Sequence, residues 1–263
     1  MVSHGLYLSD PYTRSFEARV LDVDGDRVAL DRTAFCPGEV GQMPDRGWLR
    51  WGKKDKANVA DVMTDAGVFW HRVDGELPPV GTTITGELDW TYRHRMMRTH
   101  TAFHLVSALT FYLCGAQALK SHTLPTGLQV AFKSDCWSPL LAADIERRAN
   151  QAIAADIPVY TYFLSREEAR ETPLINRMKV DLLPPWVQTV RVVEIEGIAL
   201  DIDTGTHIRS TREIGAIQVL RAPSTDKRYQ QLELRLLAKT PTKAHKPAVA
   251  VHTKDKGQAP FTI

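Results

Sequence analysis

At 263 residues, with 43% hydrophobic and 24% charged residues and a formal net charge of +2, the chain has the make-up of a globular protein, and two cores rather than one are expected. No apolar run approaches the roughly 18 residues of a transmembrane helix, and the N-terminus lacks a charged-then-apolar leader pattern. The three cysteines, Cys36, Cys114 and Cys136, are too few and too scattered for a disulfide framework, so a cytoplasmic protein with reduced thiols is expected.

Residues 1–90 read as a β unit. Short β-type runs at Phe16 to Leu21, Arg27 to Leu30, Val68 to Val73 and Thr82 to Trp90 alternate with turn signals. Asp24-Gly25 and Asp74-Gly75 supply the positive φ of tight hairpins, and the spacing predicts a small barrel or sandwich. The character changes at Tyr92. From there to about Leu113 no Gly or Pro occurs, and Met96, Met97, Phe103, Leu105, Leu109, Tyr112 and Leu113 recur at helical spacing until Cys114-Gly115. A second helix is predicted from Ser138-Pro139, an N-cap with Pro at the first helical position, to about Ala155. Strand-like runs follow at Val159 to Leu164, Val187 to Ile195, Ile214 to Leu220 and Leu232 to Leu237. Their order is that of an antiparallel sheet, so residues 91–238 read as an α+β unit. Residues 239–263, rich in Lys, Thr and Pro, read as a flexible basic tail with a supporting role towards polyanions.

Two short-range pairs carry the strongest chemical signal. His100 and His104 sit four residues apart on the first helix and so share one face. Asp203 and His207, in Asp203-Thr204-Gly205-Thr206-His207, repeat that spacing about a hundred residues later. Imidazole nitrogen and carboxylate oxygen both bind zinc, and a hydrolytic site needs such ligands plus an open position. One histidine pair alone is as readily ordinary packing; the second pair favours a metal. Thr101 follows His100 where a metalloprotease helix carries glutamate, so peptide hydrolysis by that route is not expected. Asp203-Thr204-Gly205 also matches the aspartic-protease motif, which would require a homodimer to bring two carboxylates together. It reads more simply as a turn in which Asp203 caps backbone amides and Gly205 takes positive φ.

Basic residues cluster at Arg93, His94, Arg95 and Arg98, beside the expected metal, where a phosphate backbone can be held. A second group, Arg166, Arg170, Arg177 and Lys179, is diluted by Glu167, Glu168 and Glu171.

Taken in order, several segments resemble the AlaX-type alanyl-tRNA editing proteins, which are similar to the editing domain of alanyl-tRNA synthetase. They are Leu6 to Tyr12, Val28 to Phe35 with Gly41-Gln42 and Asp45-Arg46-Gly47, Arg98 to His104, Val192 to Gly197, and Gly205-Thr206-His207 with Glu213-Ile214-Gly215. The likeness runs from about Leu6 to Leu237. It implies a small N-terminal β-barrel followed by an α+β editing domain, and hydrolysis in trans of mischarged aminoacyl-tRNA, Ser-tRNA(Ala) or Gly-tRNA(Ala). The family's H-x-x-x-H and C-x-x-x-H ligands fall on His100, His104, Asp203 and His207, for one Zn²⁺ per chain. The family's glycine-rich barrel loop ending in Gln makes Gln42 the substrate contact. With tRNA as partner, Arg93, Arg95 and Arg98 are its expected contacts.

The chain departs from the family pattern. Asp203 stands where the family has cysteine, exchanging a soft thiolate for a hard oxygen, which weakens zinc selectivity while still allowing Zn²⁺. Gly-Gly-Gly-Gln becomes Glu39-Val40-Gly41-Gln42, and Arg212 replaces the Gly before Glu-Ile-Gly. Ester hydrolysis needs water activated or positioned and charge stabilised on the carbonyl oxygen; a zinc with an open position does both, and no side chain is assigned as base. Whether the metal activates that water or anchors the substrate's amino group stays open. Recognition of a seryl hydroxyl needs a polar partner, for which Thr99, Ser121 and Thr206 are candidates, each also explicable as a capping or surface hydroxyl. The rival from another class is a non-catalytic tRNA-binding accessory relative with an altered metal site.

Overall fold

A computed structural model describes residues 3–38, 41–124, 127–133, 138–173, 177–222 and 229–237. The tail 239–263 lies outside the described residues, as do Glu39, Val40 and Cys136 and the side chains of Arg177 and Lys179. Cys36 and Cys114 are thiols, as expected.

The N-terminal part opens with β1 (His4–Gly5), a 3-10 turn (Leu6–Leu8), β2 (Ser15–Asp24), β3 (Arg27–Leu30) and β4 (Arg32–Thr33), which pairs parallel with β1. It continues with β5 (Gly47–Trp51), β6 (Asp55–Asp65), β7 (Val68–Gly75) and β8 (Thr83–Leu88). Strands β2-β3-β7-β6-β5-β8 close into a barrel, as the resemblance implies and as one of the two forms that the strand spacing allows, all neighbours antiparallel. Alternation along β2, β7 and β8 sends every second side chain inward, where Val20, Val28, Leu30, Leu49, Val59, Val73 and Ile84 form one core. Gly25, at φ 60°, begins the two-residue turn that joins β2 to β3. Asp74-Gly75 is not a turn: both residues belong to β7 and pair with Asn58 and Ala57. Strand β6 is hard to see in the sequence because a bulge between Val59 and Asp61 breaks its alternation.

Helix α1 (Trp90–Cys114) starts two residues before the expected Tyr92, because Asp89 caps it by accepting from Tyr92 N–H at 3.0 Å. Gly115 ends it at φ 66°, the left-handed C-cap expected of Cys114-Gly115. Polar residues are buried along it with the apolar ones, including Arg93, Thr99, His100, Thr101 and His104, whereas Tyr112, expected on the core face, is 80% exposed. The chain continues through β9 (Gln117–Leu124), β10 (Gly127–Lys133) and α2 (Pro139–Ala154), which Ser138 caps through Leu141 N–H at 3.1 Å. On α2, Ala142, Ile145, Ala149 and Ala152 recur every three or four residues and face the core; the fully buried Ile145 contributes about 1.5–3 kcal/mol.

Next come β11 (Val159–Ser165), α3 (Arg166–Glu171), α4 (Arg177–Leu182), β12 (Thr189–Ile195), β13 (Ala199–Ile202), a 3-10 turn (Thr211–Ile214), β14 (Ile217–Ala222) and β15 (Gln230–Leu236). Two antiparallel sheets result, β14-β15-β10-β9 and β11-β12-β13. The strand expected from Ile214 begins only at Ile217, since Ser210 caps Arg212 N–H at 3.2 Å and holds the preceding residues in the 3-10 turn. Helix α1 packs against α2, β9, β10 and β13, so its histidine face meets the chain just beyond β13. Among the described residues no helix is long and apolar enough to cross a membrane.

Candidate metal centre

Two elements far apart in sequence supply the cluster. Helix α1 carries His100 and His104 one turn apart, and the loop after β13 carries Asp203 and His207. One ligand atom from each of the four lies within 4.8 Å of every other. His100 Nε2 and His104 Nε2 stand 3.4 Å and 3.5 Å from Asp203 Oδ1, and His207 Nε2 stands 2.9 Å from Oδ2. Bonds of 2.0–2.1 Å around a tetrahedral zinc place ligand atoms about 3.3–3.4 Å apart, so these separations are those of a ligand shell.

The hydrogen bonds behind the rings fix which nitrogen faces inward. Gln42 Oε1 accepts from Thr206 N–H at 2.8 Å, which sets the amide's orientation, and it also receives His100 Nδ1 at 3.1 Å. His100 therefore donates through Nδ1 and presents a bare Nε2. Thr101 Oγ1 donates to Met97 O at 2.9 Å, so towards His207 Nδ1, 3.2 Å away, it is an acceptor. His207 accordingly presents a bare Nε2 as well. Behind His104 lies Asp201, with Oδ2 3.9 Å from Nδ1.

Electrostatics favour this ligand state. Burial pushes His207 down to about 3, so the ring stays neutral in ordinary buffers. Burial opposes ionisation of Asp203, but the surrounding imidazoles, His100 foremost, outweigh it and hold the carboxyl well below the usual carboxylate range. His207 Nε2 and Asp203 Oδ2 are then two acceptors at 2.9 Å, an arrangement that a shared cation resolves. The Nε2 atoms of His100 and His104 are buried with no hydrogen-bond partner among the described residues, which is costly for a polar atom without a ligand. The four residues thus fit a divalent metal.

The loop is held in place by a buried arginine. Arg191 on β12 donates through Nη1 to Asp203 O at 3.0 Å and to Gly205 O at 2.9 Å, and through Nε to Leu8 O at 3.1 Å. Asp203 accepts from Gly205 N–H at 2.7 Å, as the turn reading expects. Gly205, however, has no positive φ. Glycine stands there because a Cβ would overlap the His100 ring and lie 3.0 Å from Gln42 Oε1. Asp203 faces three imidazoles rather than a second carboxylate, which leaves the aspartic-protease reading without support.

Other expected site residues are placed differently. Gln42 lies buried behind His100, its amide engaged by Thr206 and His100, so it orients the His100 ring and is not open to a substrate. Thr206 is fully buried and bonded to Gln42, and the Thr99 hydroxyl donates to Arg95 O at 2.9 Å, so neither hydroxyl is open to substrate. Ser121 keeps a buried hydroxyl with no partner among the described residues. Arg93 cannot reach RNA. It is 0% exposed, binds Asp45 through Nε at 2.9 Å and through Nη2, and donates to Pro11 O and Ala34 O, pinning α1 to the barrel. Arg95 is exposed and Arg98 half-buried, both lining a surface cavity of about 480 Å³. Thr101, Arg191 and Asp201 carry no motif of their own; strand alternation back from Asp203 was the one signal that could have pointed to Asp201.

Residues 190–233, which include Asp203 and His207, match the family described as the threonyl and alanyl tRNA synthetase second additional domain. The chain is 37% identical over 225 residues to the alanyl-tRNA editing protein AlaX-M of Saccharolobus solfataricus, covering 84% of this chain and 94% of that protein. It is 32% identical over 242 residues to AlaX-M of Methanosarcina barkeri, covering 90% and 100%. Against the alanine–tRNA ligase of Pyrobaculum neutrophilum it is 36% identical over 234 residues, which is 81% of this chain but 25% of the ligase. The chain belongs to the AlaX-M family of alanyl-tRNA editing proteins.

Proposed function

We propose that the chain removes the wrong amino acid from mischarged tRNA(Ala) by ester hydrolysis in trans, acting on Ser-tRNA(Ala) and also on Gly-tRNA(Ala). His100, His104, Asp203 and His207 would hold the zinc ion that this chemistry uses. The observation that carries this reading is the convergence of bare, buried imidazole nitrogens on one carboxylate, in a chain that aligns with nearly the full length of an alanyl-tRNA editing protein. A bound zinc supplies a Lewis acid for the ester carbonyl and lowers the pKa of water.

The chain's own residues do the rest. Gln42 and Thr101 lock the tautomers of His100 and His207, so the site is organised before any ligand arrives. Gly205 lets the loop close against His100, and Arg191 fixes that loop to the strand beside it. Asp201, 28% exposed, stands behind His104 with Oδ2 3.9 Å from Nδ1, where its charge favours a proton on Nδ1 and a bare Nε2. The Ser121 hydroxyl, lacking a protein partner among the described residues, is the remaining candidate for contact with a seryl hydroxyl. Arg95 and Arg98, on the same helix as the histidines, hold phosphates of the tRNA. A tRNA substrate is in keeping with a cytoplasmic protein.

The test is deacylation across correctly and incorrectly charged tRNAs, with and without chelator. Chelator-sensitive release of serine from Ser-tRNA(Ala), with Ala-tRNA(Ala) spared, is expected. Tight tRNA binding without turnover would favour the non-catalytic accessory relative.

A further inference from the structure

The start of α1 carries a feature that metal chemistry does not use. Arg14 lies over the Trp90 ring at 4.2 Å, Arg46 over the Tyr92 ring at 4.7 Å, and Arg95 over the same ring at 5.4 Å. Tyr12 packs against Trp90 at 5.6 Å and carries Arg209 at 4.2 Å, while His94 stacks with Trp90 at 5.6 Å. Arg98 lines the cavity beside them; its Nε donates to Ile214 O at 2.8 Å, and its Nη2 is buried, with no hydrogen-bond partner among the described residues.

Nearby carboxylates balance this face only in part: Asp10 pairs with Arg209 at 3.5 Å, and Glu213 lies close enough to Arg98 to act on its charge. Asp89 is taken up as the helix cap, and Glu213 is held by Tyr12 and His94. Arg14, Arg46 and Arg95 are exposed, on a chain whose formal net charge is only +2. Guanidinium groups held over aromatic rings combine charge with a planar group, on which a base finds a stacking partner and its phosphate a donor fork. Lysines scattered over a surface give charge without that plane.

We infer that this surface, built from Arg14, Arg46, Trp90, Tyr92, Arg95 and Arg98, docks the acceptor end of the tRNA. The inference rests on the editing reading above and extends it from two arginines on one helix to a face shared by helix and barrel. Its position suits the task. Trp90 precedes His100 by ten residues on α1, about 15 Å along the axis. That distance is spanned by about four stacked nucleotides, the length of the unpaired 3′ end of a tRNA.

The experiment measures binding of uncharged tRNA(Ala) by fluorescence anisotropy over a salt series, using the full chain. The triple variant Arg14→Ala/Arg46→Ala/Arg95→Ala should bind at least about tenfold more weakly, with a salt slope smaller by about two. Arg14→Lys/Arg46→Lys/Arg95→Lys should keep the slope yet lose several-fold in affinity, because the charge stays and the plane goes. Lys53→Ala/Lys54→Ala/Lys120→Ala removes the same charge from exposed positions elsewhere and should stay within about twofold of the parent. Equal weakening by the lysine triple, or tRNA binding unchanged in the arginine triple, overturns the assignment. If the parent deacylates Ser-tRNA(Ala) while the arginine triple binds normally, the editing reading stands and this surface falls. A parent chain that binds no tRNA overturns both.

Discussion

Replacing Gln42 with Leu isolates the contribution of the residue behind His100. In the native chain Gln42 Oε1 accepts from Thr206 N–H at 2.8 Å and from His100 Nδ1 at 3.1 Å, and both groups are buried. Leucine fills much of the same volume and offers no acceptor. Two consequences follow, one for stability and one for the metal. Each stranded donor costs about 1–3 kcal/mol, so the metal-free protein should lose about 2–6 kcal/mol if nothing rearranges. With Nδ1–H unheld, His100 is free to turn or change tautomer, and loss of such a partner weakens metal affinity by about 10- to 100-fold, or about 1.4–2.7 kcal/mol. Competition titration of zinc against a chromophoric chelator reads the second effect; urea unfolding of the metal-free chain reads the first. Gln42→Glu keeps an oxygen facing both donors and should restore most of the zinc affinity. Zinc affinity within about twofold of the parent in Gln42→Leu would refute the view that this amide orients a ligand.

Asp203→Cys should retain or tighten zinc, since thiolate is the softer ligand, whereas His104→Ala should lose most of it; metal analysis of the purified variants decides. Arg93→Met leaves Asp45 buried without its ion-pair partner and should destabilise the fold by about 3–5 kcal/mol in urea unfolding. A loss under about 1 kcal/mol would mean that this pair is solvated. The barrel contains a buried histidine, His71, whose Nδ1 faces Val28 O at 3.1 Å and whose Nε2 faces the Thr33 hydroxyl at 2.8 Å; burial lowers it to about 4. Its folded value lies below the unfolded value of about 6.5, so the stability it contributes is complete above about pH 6.5. That contribution is lost as pH falls towards 4, by about 3 kcal/mol in all. His71→Gln should flatten the pH dependence of unfolding across that window, and an unchanged slope would show that His71 protonates as readily folded as unfolded.

Much of this architecture could be read from residue order. The β2–β3 turn at Gly25, the C-cap at Gly115 and the Ser138-Pro139 start of α2 are local devices, set by backbone chemistry within a few residues. Strand β6 and the end of β7 were not legible, because a bulge and pairing with a partner strand override local pattern. At the site, the repeated i, i+4 spacing named four residues that the fold does bring together. Roles set by burial were the part that sequence misjudged. Arg93 looks like a phosphate contact until its guanidinium is found enclosed by Asp45, Pro11 and Ala34. Gln42 looks like a substrate contact until Thr206, 164 residues away, occupies its amide. Long-range hydrogen bonds of this kind leave no periodicity to detect.

The most direct measurement is zinc K-edge absorption on the purified chain, read together with metal content. Expected are about one zinc per chain and a shell of nitrogen and oxygen alone at about 2.0–2.1 Å. A chain that binds no zinc, or a sulfur scatterer at about 2.3 Å, would contradict a site made of three imidazoles and the Asp203 carboxylate.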